Sequence, residues 1–316
     1  MKIIPKEAIL PLLDIPAIIG AVKQGFIAFH KGDICCPTPM QLLFHGEDGA
    51  FKADCHVKSA QGKAQEYFVI KIASGFYDNA AKGLPVNNGM VMVFSALSGE
   101  PVALLQDEGW LTAWRTAAAG ALAASLREVS LDSTLGIIGT GLQAELQALF
   151  ITQYLGLTRV ALYGRSSQKA EHLAQTLRQK GLHVKVMASP KELCHTAAIV
   201  VTTTPSTSPV LHVNDLPKSL HLVALGSDSP GKIELDPAIL GKAEAIITDD
   251  VEQCLHHGEF GAAVREGQVS PTSALPLGAL LKKETRLKGG ISVIDLTGLG
   301  VQDLAIASWV MHTLKQ

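Results

Sequence analysis

The stretch Leu135-Gly136-Ile137-Ile138-Gly139-Thr140-Gly141-Leu142-Gln143-Ala144 decides the fold of this chain. It starts as a short apolar strand, turns on two glycines and runs directly into a helical pattern. That order, strand, G-x-G-x-x-A, helix, is a dinucleotide fingerprint. The glycines let the backbone approach a pyrophosphate, and the N-terminus of the helix offers it free N–H groups. A glycine-rich turn can also be purely structural, so the surroundings carry the argument.

Those surroundings alternate strand and helix. Residues 159–163 read as a second strand, 166–180 as a helix and 183–187 as a third strand. Residues 198–203 form a β-branched run of the kind buried in parallel sheets. Apolar runs at 221–226, 245–248 and 291–296 follow. About seven strands with helical crossovers predict a Rossmann-type, doubly wound parallel sheet within an α/β chain, spanning residues 116–300.

The first part of the chain differs. An opening helix over about 15–29 precedes alternating segments such as 67–72 and 90–94. Turn residues separate them, notably Gly83-Leu84-Pro85-Val86-Asn87-Asn88-Gly89. Hairpin-like strands without crossover helices predict a mixed or antiparallel α+β domain over 1–115. Residues 116–125 are nearly all Ala and Gly, which suits a close-packed connecting helix. A last helix over about 301–314 either continues the Rossmann domain or returns to the first one.

Composition narrows the function. The 316 residues are 47% hydrophobic and 18% charged, with a net charge of −2, so no basic footprint points to nucleic acid or an anionic membrane. No apolar run reaches the roughly 18–20 residues that span a bilayer. The opening Met1-Lys2-Ile3-Ile4-Pro5 lacks the apolar core of a signal peptide. Cys35, Cys36, Cys55, Cys194 and Cys254 are an odd, scattered set, which predicts reduced thiols in a cytoplasmic protein. His256-His257 lies near Cys254, but no second ligand pair has zinc-like spacing. We therefore expect ordinary helix surface there and no metal.

Three charged residues stand out, each with two readings. Lys71 interrupts the apolar strand Phe68-Val69-Ile70-Lys71-Ile72. It faces solvent by alternation, or it sits desolvated in a site where its proton is transferable. Arg115 enters a small-residue helix, as an exposed ion-pair partner or as a carboxylate clamp. Asp228 follows the strand at 221–226, as a turn former or as an acid outside the carboxyl end of a strand, where open α/β sheets bind ligands. After the second strand, Tyr163-Gly164-Arg165-Ser166-Ser167 holds no acid to bond a ribose hydroxyl. Arg165 and Ser166 suit a 2′-phosphate, so NADP(H) is favoured and NAD(H) is possible.

Taken together, these segments resemble the ornithine cyclodeaminase / μ-crystallin family along nearly the whole chain. The most specific match is Leu111-Thr112-Ala113-Trp114-Arg115-Thr116-Ala117-Ala118, followed by the fingerprint at the family's distance. Gly226-Ser227-Asp228-Ser229-Pro230-Gly231-Lys232-Ile233-Glu234-Leu235-Asp236, the Lys71 strand and Gly298-Leu299-Gly300-Val301-Gln302-Asp303 also fit. The resemblance implies a homodimer whose N-terminal domain forms the interface and most of a pocket for a small amino or imino acid. It implies that Arg115 grips the substrate carboxylate, and that Lys71 contacts it or moves a proton. Asp228 would be the acid–base group at the nitrogen-bearing carbon. Cofactor contacts would come from Thr116, Gly139, Thr140, Gly141, Gln143, Ala144, Arg165, Ser166 and Thr203.

The chain also departs from the family. Where many members carry a second carboxylate-binding arginine in P-x-R, this chain has Pro39-Met40-Gln41, and Gln41 cannot supply a charge-assisted pair. Asp54-Cys55-His56-Val57-Lys58 replaces a mostly apolar segment. His56 or Lys58 restores the charge to a recast pocket, or both are strand surface. Three functions follow: a reductase of imino acids or related amino acid dehydrogenase, a cyclodeaminase that recycles its cofactor, and a binding protein without turnover. NADP preference suits net reduction, so the reductase leads.

Overall fold

The computed structural model describes residues 1–47, 49 and 51–315, without the side chain of Ala80. The chain divides into two units, Met1–Thr116 with Leu299–Gln316, and Ala117–Gly298.

The first unit is a seven-stranded sheet: β1 (Lys2–Pro5), β2 (Ile34–Cys35), β3 (Met40–His45), β4 (Phe51–Gly62), β5 (Tyr67–Phe76), β6 (Asn87–Ser95) and β7 (Pro101–Gln106). The spatial order is β1-β7-β6-β5-β4-β2, with β3 also pairing β4. β1 runs parallel to β7 and the remaining pairs are antiparallel, so the sheet is mixed. One face buries Ala60, Tyr67, Val69, Val93 and Ala103. The C-terminal helix Gly300–Thr313 lies on β4 and β5, and the opening helix Ile15–His30 packs on that helix. The opening helix starts where the Asp14 carboxylate accepts the Ala17 N–H at 3.0 Å. It buries Ile18, Ile19, Val22 and Phe26, a helical stripe. Gly25 allows the close crossing, since a Cβ there would stand 3.2 Å from Val301 Cγ2.

The opposite face is apolar and open. Leu42, Val57, Phe68, Ile70, Ile72, Met92 and Phe94 lie on it, none of them fully buried. Phe68 and Phe94 stack with ring centroids 4.8 Å apart. Met40, Phe44 and Met90 extend the patch at 56%, 42% and 38% exposure, more apolar surface than a solitary sheet needs to show.

The second unit is the parallel sheet. Its strands are β8 (Thr134–Ile138), β9 (Arg159–Tyr163), β10 (His183–Val186), β11 (Ile199–Thr202), β13 (Leu220–Ala224), β15 (Ala245–Thr248), β16 (Ala274–Pro276) and β17 (Ile291–Asp295). Their order is β10-β9-β8-β11-β13-β17-β15-β16, all parallel. A separate parallel pair joins β12 (Thr207–Leu211) to β14 (Ile233–Leu235). The strand order reverses between β8 and β11, the switch point where such sheets open a ligand crevice at their carboxyl ends. The expected seven strands become eight because β16, three residues long with a terminal proline, carries no readable periodicity.

The connecting helix Trp110–Ala124 carries the chain from one unit to the other. Its small residues have a specific cause in the second unit: a Cβ at Gly120 would stand 2.0 Å from Oε1 of the fully buried Gln147. Gln147 belongs to the fingerprint helix Leu142–Leu155, so this glycine sets how closely the two helices approach.

A similar approach fixes the C-terminal helix. A Cβ at Gly300 would stand 2.1 Å from the Ser59 carbonyl oxygen, which is backbone and cannot swing away. Gly300→Ala is expected to destabilise the first unit by ~1–3 kcal/mol, as overpacking does. Urea unfolding checks this, and an unchanged midpoint would contradict the close approach.

Candidate active site

Alternation along β4 puts Asp54, His56 and Lys58 on the face that the C-terminal helix covers. Their cross-strand neighbours on β5 are Gly75, Ala73 and Lys71, and Gln41 of β3 pairs with His56. His56, Lys58 and Lys71 are 7%, 4% and 2% exposed, so the solvent-facing readings of all three fail. The face is therefore apolar under the helix and polar beyond its first turn. Gln41 Nε2 lies 3.5 Å from His56 Nδ1, and His56 Nε2 lies 3.7 Å from Asp54 Oδ2. The Tyr77 hydroxyl donates to that same Asp54 oxygen at 3.1 Å.

Arg115 is buried on the connecting helix, and Asp303 meets it from the first turn of the C-terminal helix. Arg115 Nε donates to Asp303 Oδ1 at 3.1 Å, and its Nη1 donates to Gln302 Oε1 at 2.5 Å. Lys71 Nζ lies 3.7 Å from Asp303 Oδ2, so one carboxylate, 1% exposed, serves both cations. Breaking such a buried arrangement from one side costs about 3–5 kcal/mol. Nearby, Asp107 accepts the Leu111 N–H at 2.7 Å at the start of the connecting helix. Burial pushes the Asp107 carboxyl up to about 6, with the negative Asp303 adding to the rise and the Leu111 bond opposing it.

In the second unit the fingerprint turn has the geometry its sequence requires. Gly139 has φ +135°, and a Cβ there would stand 2.2 Å from Thr203 Oγ1. Gly141 caps the fingerprint helix without a side-chain bond, and a Cβ there would meet nothing within 4 Å. A fourteen-residue helix starts at this turn, and a helix N-terminus is where a pyrophosphate binds. Ala144 is fully buried, where a small residue lets helix and sheet close up. The turn after β9 packs on this one, since a Cβ at Gly164 would stand 2.3 Å from Thr140 Cγ2. Arg165 and Ser166 follow it on the surface, and the Ser166 hydroxyl caps the next helix by accepting the Lys169 N–H at 3.3 Å. Thr203 donates to the Ile138 carbonyl at 3.2 Å, which ties β11 to the fingerprint. Gln143 and Thr116 are half-buried, Thr116 directly after Arg115. The fingerprint turn and its neighbours within the second unit fit a dinucleotide.

Asp228 is half-buried in the turn between β13 and β14. Lys232 donates to its Oδ1 at 2.8 Å. A buried carboxylate shapes that turn: Glu234 accepts the Thr202 hydroxyl and the Gly226 N–H at 2.7 Å each, together with the Thr204 N–H and hydroxyl. Glu259 in turn accepts the Glu234 and Leu235 N–H groups at 2.8 and 3.0 Å, and the Ser227 hydroxyl. Burial, then the charges of Asp295 and Glu234, pushes the Glu259 carboxyl up to about 8. Burial raises Asp295 to about 7, with Asp249 adding to it.

The sequence reading needs one correction here and has several omissions. His257 is 7% exposed at the end of the helix Val251–His256, not helix surface. Among the described residues, no cluster of His, Cys, Asp or Glu is arranged to hold a metal ion. No single helix among them is long and apolar enough to cross a membrane. Asp303, Gln302, Asp107, Tyr77 and Glu259 were not singled out, although Gln302-Asp303 is a polar pair inside an otherwise apolar helix.

Comparison with known proteins agrees with this architecture. The model of the ornithine cyclodeaminase/mu-crystallin family matches residues 5–316, and the chain belongs to that family. It is 37% identical over 307 residues to the uncharacterized cyclodeaminase y4tK of Sinorhizobium fredii, covering 96% of this chain and 93% of the relative. An archaeal alanine dehydrogenase dimer with bound NAD superposes with a TM-score of 0.89 at 28% identity, covering 100% of this chain and 96% of that one. The iminosuccinate reductase of Paracoccus denitrificans in complex with NAD+ gives a TM-score of 0.89 at 26% identity, with the same coverage.

The raised Glu259 carboxyl has a consequence for stability. The unfolded group loses its proton near 4.5, whereas the native group holds it to about 8. The native state therefore binds more protons in that window, and stability falls as pH rises through it. Glu259→Gln is expected to flatten this fall in the thermal midpoint while lowering the midpoint overall. An unchanged slope would exclude Glu259 as its source.

Proposed function

We propose that this chain is an NAD(P)H-dependent reductase of small 2-imino acids, cyclic ketimines among them, or the related amino acid dehydrogenase. The observation that carries this reading is the buried Arg115–Asp303–Lys71 arrangement, a cationic site held on three elements of one unit, in a chain whose other unit has a dinucleotide fingerprint. Arg115 and Lys71 bind the substrate carboxylate, with Asp303 fixing both before substrate arrives, so little order is lost on binding. Asp228, oriented by Lys232, exchanges a proton with the substrate nitrogen, because a protonated imine has the more electrophilic carbon. When bound, a reduced nicotinamide would supply the hydride for that carbon. The fingerprint turn holds the pyrophosphate, and Arg165 with Ser166 receives a ribose 2′-phosphate, which favours NADP(H) over NAD(H). The relatives in solved structures carry NAD.

A homodimer completes the reading. The open apolar face of the first unit, from Met40 and Leu42 across Phe68 and Ile70 to Phe94, is the surface a second copy covers, and an archaeal relative is a dimer. Cyclodeaminase chemistry is the second reading, favoured by the 37% identical relative that bears that name, and it uses the same Lys71 and Asp228.

The test is oxidation of NADPH and NADH with a panel of acyclic and cyclic 2-imino acids, beside ammonia release from ornithine. The expected result is cofactor consumption with an imino acid, faster with NADPH, and its near-complete loss in Asp228→Asn while NADPH binding persists. Ammonia from ornithine without net cofactor change would establish the second reading instead.

A further inference from the structure

The turn that carries Asp228 is a loop with two legs. The first, Gly226-Ser227, follows β13, and the second, Glu234-Leu235, belongs to β14. Between them the chain folds back, with the Lys232 N–H on the Ser229 carbonyl at 3.2 Å and Gly231 at φ +86°. This return brings Lys232 to Asp228, whose Oδ1 accepts from Lys232 Nζ at 2.8 Å and from the Ser229 hydroxyl at 3.3 Å. Ser227 and Ser229 are each 1% exposed, whereas the Asp228 side chain between them is 44% exposed. Asp228 therefore faces outward, while its two neighbours in the chain face the interior.

Both legs meet on one carboxylate. Glu259, the first residue of the helix Glu259–Arg265, accepts the Ser227 hydroxyl from the first leg. From the second it accepts the Glu234 and Leu235 N–H groups at 2.8 and 3.0 Å. All three of these donors belong to the loop. The group is costly to bury: it is 1% exposed, and burial first, then the charges of Asp295 and Glu234, oppose its ionisation. An apolar side chain of similar volume would fill the same space at lower cost, but it would leave the two legs untied.

We propose that Glu259, acting through Ser227 and the backbone of β14, is a positioning residue for the Asp228–Lys232 pair, and that it governs the rate of proton exchange with the substrate nitrogen rather than the affinity for substrate or cofactor. The proposal deepens the reductase reading and rests on it. The anchored Ser227 hydroxyl fixes the point from which Asp228 turns outward. The anchored N–H groups of Glu234 and Leu235 fix the leg that carries Lys232. With both legs on one group, a single carboxylate sets the separation of Asp228 and Lys232. An acid that must reach one nitrogen tolerates little freedom, since a misplacement of about 1 Å can cost about 100-fold in rate. Glu234 has a separate task, tying the loop to β11 and the residues after it through Thr202 and Thr204.

The experiment measures kcat, KM and NADPH binding for Ser227→Ala and Glu259→Gln, well below their thermal midpoints. The substrate is whichever the wild type reduces fastest among pyrroline-2-carboxylate and the imines that pyruvate and 2-oxoglutarate form in ammonia buffer. Ser227→Ala should lower kcat about 10-fold and Glu259→Gln about 100-fold, with KM and the NADPH Kd within about threefold of the wild type. Without Asp228 the anchor should lose its effect. In the Asp228→Asn background, Ser227→Ala should change the single-turnover rate of NADPH oxidation by less than about twofold. A kcat within about twofold of the wild type in either folded variant overturns the proposal, so the test survives failure of the other to fold. An equal fall in both backgrounds, the mark of a general loosening of the fold, overturns it as well. So does a loss confined to KM or to NADPH binding. A wild type that reduces none of these imines with NADPH or NADH overturns the reductase reading, and the positioning role with it.

Discussion

A single carboxylate holds the candidate active site together. Asp303 is almost completely buried and lies between Arg115 and Lys71. Two cations placed in a protein interior without an anion would be driven apart or would lose a proton, and the second route is closed to an arginine. The carboxylate offsets their desolvation and fixes their positions. Its own place depends on the C-terminal helix, which reaches β4 only because Gly300 lets backbone touch backbone at Ser59. Under the proposed function, the cost of burying the charges is repaid as preorganisation, because an anionic substrate would meet cations that are already oriented.

The two faces of the first unit divide the labour. One is apolar under the C-terminal helix and polar beyond its first turn, so a single strand, β4, runs from core residue Ala60 to site residues Lys58, His56 and Asp54. The other face leaves its apolar residues open. In the second unit the same economy appears at the turns. Glu234 gathers donors from β11 and from the turns after β11 and β13, and Glu259 seats the backbone of β14, so buried carboxylates shape the Asp228 turn. Four donors fill the acceptor capacity of the Glu234 carboxyl.

Much of this was legible in the sequence because it is local. The fingerprint, the strand pattern from 159 to 296 and the small-residue connecting helix are all set by neighbours within a few residues, where period and turn chemistry decide. β16 was not legible because three residues have no period. Lys71, Lys58 and His56 could be placed on a strand but not on a face, since alternation gives two faces and burial comes from what packs on them. Asp303 was hidden most completely. It meets Arg115 across 188 positions in the chain, and nothing in Gly300-Val301-Gln302-Asp303 announces a partner so distant. His257 misled for the same reason: a pair of histidines after a helix reads as surface until the surrounding fold buries one of them.

The most direct test of the account is Asp303→Asn, compared with the wild type for KM and kcat towards an imino acid that the wild type reduces. The variant keeps the shape of the side chain and removes the charge that binds Arg115 and Lys71 together. The account predicts a rise in KM of about 100-fold, equivalent to ~2.7 kcal/mol of lost substrate binding, with the protein still folded and still binding NADPH. A folded variant with KM within about twofold of the wild type would show that the anion site does not depend on Asp303, and the central claim would fail.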